Sequence, residues 1–277
     1  WQTAQFNPFQ CPQPQWAGED IADKTLLVHT EQGAGDAIMC ARFLKMARGR
    51  CKKLILVAPD NLRDLLGTAE GVDEVRLPGN LPTDLFDVYC HIMSLPGALG
   101  ITLENLPNDL PYLGVPDHVS ARLLNGENLK VGFVWQGSQT MKTNHHRSCE
   151  LQHLAPLLDL PGVDWFSLQM PVSRSDAQFL ERHRVTNLET ELPGFARTAA
   201  LIKQLDLVIG VCTSTIHLAG ALGIPCWVLL GDKPDWRWLR EGEETPWYPG
   251  MRLFRAAAGE DWPERIDRVR LALKGNP

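Results

Sequence analysis

Short apolar runs that alternate with helix-like segments constrain this chain more than any other feature. Residues 25–30 and 54–58 in the first half, and residues 131–135 and 206–211 in the second, are apolar and contain many β-branched side chains. Runs of this length and composition are typical of buried strands. Segments with helical periodicity, such as residues 37–48, lie between them. The alternation predicts an α/β fold in which crossover helices join parallel strands.

The same pattern predicts two α/β halves. Further helices are predicted at residues 61–66, 151–158, 173–183, 195–204, 216–222 and 261–274, and further strands at residues 74–77, 86–91, 164–168 and 225–230. A break rich in Pro, Gly and Asn lies between residues 94 and 116, and the strand pattern restarts at Lys130. We therefore expect one half at residues 1–120 and another at residues 121–277, whose last helix is able to cross back to the first half.

Charge and cysteine content exclude several classes of protein. The formal net charge of -6 argues against nucleic acid as a partner, because phosphate backbones bind basic surfaces. Seven cysteines without a Cys-x-x-Cys pair indicate a reducing, cytoplasmic setting, with Cys40, Cys90 and Cys226 as small core residues. Because no run approaches eighteen apolar residues, no transmembrane helix is predicted.

One segment is strongly basic although the chain as a whole has a negative net charge, and it has two interpretations. This basic segment consists of Arg42, Lys45, Arg48, Arg50, Lys52 and Lys53. It is either the cationic end of a helix, which complements the helix dipole, or a surface for an anionic acceptor or a peripheral contact with a membrane.

The turn after the strand at residues 25–30 contains Gln32, Gly33, Gly35 and Asp36. Glycines let a ligand approach the backbone closely, but an acid at a helix start occupies the place of a bound anion. Asp36 is therefore either a helix N-cap or a general base placed in a cleft. The acid and the missing third glycine argue against a nicotinamide dehydrogenase.

A second turn has the opposite character. No acidic residue occurs from 212 to 229, and the turn presents the hydroxyls of Thr213, Ser214 and Thr215. These hydroxyls and the first N–H groups of the following helix predict a phosphate site, to which His217 adds a donor one turn later. The alternative is an ordinary capped core helix with a satisfied histidine.

Two more clusters of residues are candidates for ligand contacts, one through positively charged side chains and the other through aromatic rings. Lys142 and Arg147, in the loop after residue 135, suit a diphosphate. The adjacent His145 and His146 are a poor metal pair, because neighbouring residues rarely share one ion and no carboxylate flanks them, so no metal is predicted. The aromatic residues at 236–248 either stack on a sugar or base or pack in the core, and we expect a mixed role.

Seven short motifs occur in order along the chain. They are Glu31-Gln32-Gly33-Ala34-Gly35-Asp36, Pro111-Tyr112-Leu113, residues 131–137, Arg147-Ser148, Ser167-Leu168-Gln169, residues 213–223 and residues 234–238. With this ordered set the chain, from about residue 14 to residue 272, resembles the glycosyltransferase domain that follows tetratricopeptide repeats in many bacterial proteins. That domain is similar to glycosyltransferase family 9, the lipopolysaccharide heptosyltransferases. Since no repeats occur here, the Gln- and Pro-rich start indicates a piece of a longer protein.

The resemblance implies a GT-B fold, in which two Rossmann-like domains face each other across a cleft. It implies an inverting transfer of a sugar from a nucleotide-sugar, held by the second half, to a glycan, lipid-linked or protein acceptor, without a metal or another cofactor. The implied base is Asp36. The implied donor-phosphate residues are Lys142, Arg147, Thr213, Ser214, Thr215 and His217. On the acceptor and sugar side we place Gln32, Gly33, Gly35, Trp236 and Arg237.

The chain departs from this family at two places on the donor side. Cys212 stands where the family usually has Asp, and residues 143–146 replace the usual Asn-Asp pair before Arg147. Two alternatives therefore stay open. One is a non-catalytic module that binds a nucleotide-sugar or glycan for a repeat scaffold, and the other is a sugar-nucleotide epimerase with the same architecture.

Overall fold

The first sheet is parallel throughout. The computed structural model describes residues 11–79, 81–82, 84–139 and 144–275. In the first sheet the strands are β1 (Ile21–His29), β2 (Cys51–Val57), β3 (Glu74–Arg76) and β4 (Val88–His91), in the order β3-β2-β1-β4. The helices around it are α1 (Ala34–Cys40), α2 (Leu44–Arg48), α3 (Asp60–Leu66) and α4 (Leu95–Ala98), with 3₁₀ turns at Ala41–Phe43 and Ile92–Ser94.

The second sheet is also parallel and larger. Its strands are β5 (Leu129–Val134), β6 (Val163–Ser167), β7 (Thr186–Asn187), β8 (Leu207–Val211), β9 (Cys226–Leu229) and β10 (Met251–Phe254), in the order β10-β9-β8-β5-β6-β7. Its helices are α5 (Ala155–Leu158), α6 (Arg174–Arg182), α7 (Phe195–Ile202), α8 (Ser214–Ala221) and α9 (Trp262–Gly275). Further 3₁₀ turns lie at Asn144–His146, Leu151–Leu154, Glu189–Glu191 and Trp236–Trp238. The predicted α/β class with parallel strands is confirmed.

A continuous apolar core joins the two sheets. Ile38 and Leu44 from the first part of the chain belong to the same buried cluster as Ile216, Leu218 and Tyr248 from the second. Helices α1 and α8 pack against each other, and α3 packs on α7. The turns that precede α1 and α8 are therefore held close together by apolar burial.

Several element boundaries differ from the sequence prediction. The helix predicted at residues 37–48 begins at Ala34 and is divided by the 3₁₀ turn at Ala41–Phe43. Strands β7 and β10 were not predicted, because two- and four-residue edge strands show no periodicity that separates them from loops. The last helix does not cross back. Its buried residues Ile266, Val269 and Leu273 pack in the second sheet's own outer cluster.

Most side chains of the basic segment form ion pairs or hydrogen bonds with other residues of the protein. Lys45 lies 2.9 Å from Glu70, Arg48 lies 2.6 Å from Asp73, and Lys53 lies 2.6 Å from Glu74. Lys45 and Arg48 occupy the last turn of α2, which agrees with the interpretation as a cationic helix end.

Arg42 belongs to the basic segment but not to an exposed basic surface, because its side chain is buried. Its guanidinium donates to the carbonyl oxygens of Met39 at 2.9 Å, Pro107 at 3.3 Å and Trp247 at 2.5 Å. It also donates to the Tyr112 hydroxyl at 3.1 Å. Arg42 therefore joins α1 to segments on the far side of the interface between the sheets.

Cys40, Cys90 and Cys226 are buried and free, as predicted for small core residues. None of the helices in the described part of the chain combines the length and the apolar character that a membrane crossing requires.

Candidate functional site

A cleft of about 1140 Å³ lies where the carboxyl ends of strands from both sheets meet. Its walls are formed mainly by the segments that directly follow β1, β5, β6 and β8, and by the 3₁₀ turn Trp236–Trp238. Ligands of open parallel sheets bind at this position, because the turns there present backbone N–H groups and helix starts. All the sequence-predicted site residues that the structure describes line this cleft, and Lys142 lies outside the described residues.

The turn after β1 carries its own anion. Gly33 is the N-cap of α1, and Asp36 is the third helical residue rather than the cap itself. The Asp36 Oδ2 atom accepts the Gly33 N–H at 3.0 Å, which completes a capping interaction of the kind common at this helix position. Gln32 is exposed in the cleft with a φ of 66°, a backbone conformation that non-glycine residues adopt at a cost.

The turn after β8 has helix donors and no acid. Thr213 is the N-cap of α8, but its side chain makes no capping hydrogen bond, and its buried Oγ1 atom lacks a partner within the described residues. Ser214 and Thr215 form the first turn of the helix and line the cleft. The first N–H groups of a helix have no partner inside the helix, so this end of α8 is suited to an anion.

The two turns touch each other at Gly35 and His217. A Cβ atom on Gly35 would lie 2.8 Å from the His217 Cδ2 atom and 3.5 Å from the Ser214 Cα atom. Only a residue without a side chain allows α1 to approach α8 this closely. Gly35 therefore serves the packing of the two helix starts, a role that spacing along the chain did not reveal.

His217 forms the floor of the cleft and is only 2% exposed. Its Nδ1 atom lies 2.8 Å from the Tyr248 hydroxyl, and its ring stacks on Trp238 at a centroid distance of 5.4 Å. Its Nε2 atom is buried and has no hydrogen-bond partner among the described residues. Burial, reinforced by the charge of Arg237, lowers the pKa of His217 well below its usual value, so the ring is neutral.

Arg237 pairs with Asp36 across the cleft. The Arg237 guanidinium lies 2.5 Å from Asp36 Oδ1 and 3.5 Å from an Asp235 oxygen. Asp235 also caps the short 3₁₀ turn by accepting the Arg237 N–H at 3.3 Å. The two residues are 201 positions apart, so sequence analysis placed both at the site but could not pair them.

Arg147 reaches the cleft from the loop after β5. A Cβ atom on Gly137 would lie 2.6 Å from the Arg147 Nε atom, so the loop glycine makes room for the guanidinium. Asn144 accepts from Arg147 at 3.3 Å and orients it. The rings of the neighbouring His145 and His146 lie with their centroids 3.9 Å apart and are tilted by 41°, and no metal-binding group of three ligands occurs in the residues that the structure describes.

The aromatic cluster divides into an exposed member and a buried group. Trp236 is 44% exposed and lines the cleft, whereas Trp238, Trp247 and Tyr248 are buried. The indole Nε1 of Trp238 donates to the Cys212 sulfur at 3.1 Å. The expected mixed role is confirmed for packing. A stacking role for Trp236 stays a prediction.

Two polar residues, Gln169 in the cleft wall and Glu31 next to the cleft residue Gln32, were part of the motifs without a predicted role. Glu31 accepts the N–H groups of Ile92 at 3.1 Å and Met93 at 3.0 Å. Burial raises the pKa of Glu31 to about 7, against the lowering effect of those two N–H bonds. Gln169 is buried and accepts the Trp135 and Gln136 N–H groups at 3.3 and 3.0 Å, which holds the start of the loop after β5.

Comparison with known proteins gives one sequence relative and several structures of similar fold. No profile of a known protein family matches the sequence. The chain is 31% identical over 301 residues to Protein FlbA of Caulobacter vibrioides. The match covers 96% of this chain and 49% of FlbA, so the chain spans about half the length of that relative.

Solved structures of glycosyltransferases share the fold. The ADP-heptose lipopolysaccharide heptosyltransferase II of E. coli superposes with a TM-score of 0.63 at 14% identity, covering 91% of this chain and 99% of the enzyme. A glycosyltransferase family 9 protein from Veillonella parvula superposes with a TM-score of 0.60 at 11% identity, covering 94% of this chain and 93% of that protein. At these identities the similarity shows a common fold.

Proposed function

We propose that this chain is an inverting glycosyltransferase with the two-domain GT-B arrangement, which moves a sugar from a nucleotide-sugar to a hydroxyl acceptor. The observation that supports this most directly is the pairing of two unlike helix starts in one cleft. The first turn of α8 offers donors without an acid, and the first turn of α1 offers a carboxylate. Glycosyl transfer requires both features, one for the leaving diphosphate and one for the attacking hydroxyl.

The donor diphosphate binds at the start of α8 in this proposal. Thr213, Ser214 and Thr215 at the start of α8 and Arg147 from the loop after β5 all line the cleft. Donors placed where charge develops on a leaving group make the largest contribution in many enzymes, and the loss of one costs on the order of 10²-fold or more. Lys142 is a further candidate on the same loop.

Asp36 accepts the proton of the acceptor hydroxyl. The acceptor oxygen attacks the anomeric carbon from the side opposite the diphosphate and forms the new C–O bond. The bond from that carbon to the phosphate oxygen then breaks, and its electron pair leaves with the nucleotide diphosphate. Single displacement inverts the configuration, and a carboxylate retains lone pairs for the proton even while it accepts from Gly33 and Arg237.

Arg237 and Trp236 are placed on the sugar side of this reaction. Arg237 holds Asp36 in one orientation at the edge of the cleft, and the exposed Trp236 ring offers an apolar face to a sugar. Gln32 and Gly33 border the same space from the first turn.

The finer features of the function rest on resemblance. The fold neighbour from E. coli is named for ADP-heptose, so ADP-linked sugars are the first donors to test. The acceptor is a glycan, a lipid-linked glycan or a protein. Attachment to tetratricopeptide repeats, a cytoplasmic location, the absence of a metal requirement and peripheral membrane contact through the exposed Arg50 and Lys52 are part of the same proposal.

A thermal-shift screen with nucleotide diphosphates tests the donor site. ADP, UDP, GDP and their sugar conjugates are compared, since a ligand that binds only the folded state raises the melting temperature by mass action. We expect at least one nucleotide diphosphate to stabilise the protein. The Arg147→Ala variant should bind it roughly 10–100-fold more weakly, because a hydrogen bond to a charged group contributes about 1.5–3 kcal/mol.

The matched control is Arg182→Ala. Arg182 is exposed at the end of α6 and does not line the cleft, so its removal should leave nucleotide affinity unchanged. If no nucleotide shifts the melting temperature, or if both variants weaken binding equally, the proposed donor site is wrong. Turnover of the nucleotide-sugar without an acceptor would favour the epimerase alternative.

A further inference from the structure

A chain of buried hydroxyl groups runs from Arg42 to the floor of the cleft. The Arg42 guanidinium donates to the Tyr112 hydroxyl at 3.1 Å. Tyr112 lies 3.5 Å from the Tyr248 hydroxyl, a long contact, and the Tyr248 hydroxyl lies 2.8 Å from His217 Nδ1. The chain crosses the interface between the two sheets, since Arg42 follows α1 and His217 lies in α8.

The direction of the protons along this chain follows from its first member. Arginine has only donors, so it takes a lone pair of Tyr112 and leaves the Tyr112 proton to point onward to Tyr248. Burial raises the pKa of Tyr112 and raises that of Tyr248 well above its usual value, so both hydroxyls keep their protons. The remaining Tyr248 proton then points to His217 Nδ1, its nearest acceptor.

If the protons pointed in the opposite direction, fewer hydroxyl groups of this chain would have a hydrogen-bond acceptor. If His217 carried its proton on Nδ1 and donated to Tyr248, the Tyr248 proton would have to point back to Tyr112 over 3.5 Å. Tyr112 would then receive two donors and have no acceptor for its own proton among the contacts of this chain. A buried donor without an acceptor costs about 1–3 kcal/mol.

A doubly protonated ring is also disfavoured at this position. His217 lies among three arginines, Arg42, Arg147 and Arg237, each of which opposes a further positive charge. Only one ring nitrogen therefore carries a proton, and an acceptor role for Nδ1 leaves that proton on Nε2.

We infer that Arg42, Tyr112 and Tyr248 position His217 with its proton on Nε2, ready to donate to an oxygen of the diphosphate bound at the start of α8. This inference rests on the proposed function for its ligand. The Nε2 atom is buried and has no hydrogen-bond partner among the described residues, the His217 residue lines the cleft, and Nε2 lies 3.6 Å from the position that a Cβ on Gly35 would take. Side chains of an α-helix lean toward its N-terminus, so this donor leans toward the N–H groups of Ser214 and Thr215.

Nitrogen NMR tests the position of the proton without any ligand. Long-range ¹⁵N–¹H correlation spectra distinguish the protonated from the unprotonated nitrogen of each histidine ring, and the His217→Gln variant assigns the His217 signals. We expect Nε2 to carry the proton in the wild-type protein. In Tyr248→Phe the two ring nitrogens should become more alike, because the donor that selects one tautomer is gone. Tyr112→Phe should cause a smaller change in the same direction.

The matched control is Tyr89→Phe, since Tyr89 lies in β4 of the first sheet and does not line the cleft. It should leave the His217 spectrum unchanged. A wild-type spectrum with the proton on Nδ1, or a His217 spectrum that neither Tyr248→Phe nor Tyr112→Phe alters, overturns the inference. If Tyr248→Phe does not fold, the wild-type and Tyr112→Phe spectra still decide it.

Titration with ADP separates this inference from the proposed function. If ADP binds, the Nε2–H signal of His217 should move, and Tyr248→Phe should weaken binding roughly tenfold, in line with the loss of one oriented hydrogen bond. Binding that leaves the signal in place overturns the diphosphate contact. If neither ADP nor the other nucleotide diphosphates bind while the proton lies on Nε2, the positioning chain stands and the donor assignment fails.

Discussion

The two turns that line the cleft both join a parallel strand to a helix, and their chemistry is opposite. Each follows a central parallel strand, and each leads directly into a helix. The first places Asp36 at the helix start, where its carboxylate accepts the Gly33 N–H. The second leaves the start of α8 to Thr213, Ser214 and Thr215, without an acid.

This difference shows how one type of turn serves two purposes. A helix start attracts negative charge, and that charge comes either from the chain or from a ligand. Asp36 supplies it at α1, and in the proposed function this carboxylate accepts a proton. At α8 the proposed function leaves the position to a ligand, and Arg147 and His217 line the same cleft. Changes that exchange these properties test the comparison directly.

Removal of the carboxylate from the first turn should have the largest effect. Asp36→Asn keeps the size of the side chain but loses the base, so turnover should fall by roughly 10²–10⁴-fold. Nucleotide affinity should stay near that of the wild-type protein, because in the proposed function the donor binds at the other turn. Steady-state transfer assays and calorimetric binding on the same preparation provide the two values. Equal loss of turnover and donor binding would argue against the role of Asp36 as base.

Addition of a carboxylate to the second turn should have the next largest effect. Thr215→Asp makes α8 resemble α1 and should weaken diphosphate binding on the order of 10²-fold, since two unit charges about 5 Å apart interact by about 3 kcal/mol at an effective dielectric constant of about 20. The folded state should not be weakened, because an acid at a helix start is favourable.

The control for this variant is Ser175→Asp, which adds the same charge at the same helical position in α6, outside the cleft. Isothermal titration of both variants with the nucleotide identified by thermal shift measures the difference. Similar affinity in Thr215→Asp and Ser175→Asp would show that the diphosphate binds elsewhere.

Glu31, directly before the first turn, should make a pH-dependent contribution to the stability of the protein. Because burial raises its pKa from 4.5 in the unfolded chain to about 7, the folded state holds a proton that the unfolded state has lost between these values. Its contribution to stability is complete below about pH 4.5 and disappears as the pH rises through 7. At about 1.4 kcal/mol per pKa unit, the loss is at most about 3 kcal/mol.

Urea unfolding from pH 5 to pH 8 measures this contribution. The free energy of unfolding of the wild-type protein should fall relative to Glu31→Gln as the pH rises, while Glu104→Gln, at an exposed position, should follow the wild-type curve. Parallel curves for all three proteins would mean that Glu31 titrates normally.

The smallest expected effect concerns the contact between the turns. Gly35→Ala places a Cβ atom 2.8 Å from the His217 ring, and overpacking of this kind costs about 1–3 kcal/mol. Gly97→Ala in α4 is the matched control, because a Cβ there meets no atom within 4 Å and alanine favours a helix. Differential scanning calorimetry should show a lower melting temperature for Gly35→Ala only. An unchanged value would show that the helices separate easily.

Most of the fold was accessible from local pattern. Strands such as β2 and β8 are buried along most or all of their length, so they appear as continuous apolar runs. The edge strands β7 and β10 were missed because their existence depends on pairing with β6 and β9 rather than on their own residues. The break of the predicted helix at Ala41–Phe43 was likewise invisible, since no Pro or Gly marks these residues in the sequence.

The candidate site likewise has local features that the sequence predicted and distant contacts that it did not. Gln32, Asp36, Thr213, Ser214 and His217 were predicted because strand-to-helix turns are local features with characteristic residues. By contrast, the Asp36–Arg237 pair, the contact of Gly35 with His217 and the chain from Arg42 through two tyrosines join residues far apart in sequence. No spacing rule connects such residues.

By itself, the sequence determined the alternation of strands and helices, the contrast between an acidic and an acid-free turn, and the resemblance that links them to sugar transfer. Only the tertiary structure decided that the two turns touch, that Arg42 is a buried link rather than part of a charged surface, and that His217 is a neutral ring with one nitrogen held by Tyr248. The physical reason is that periodicity and turn chemistry act over a few residues. Burial and proton position depend on groups that only the packed core brings together.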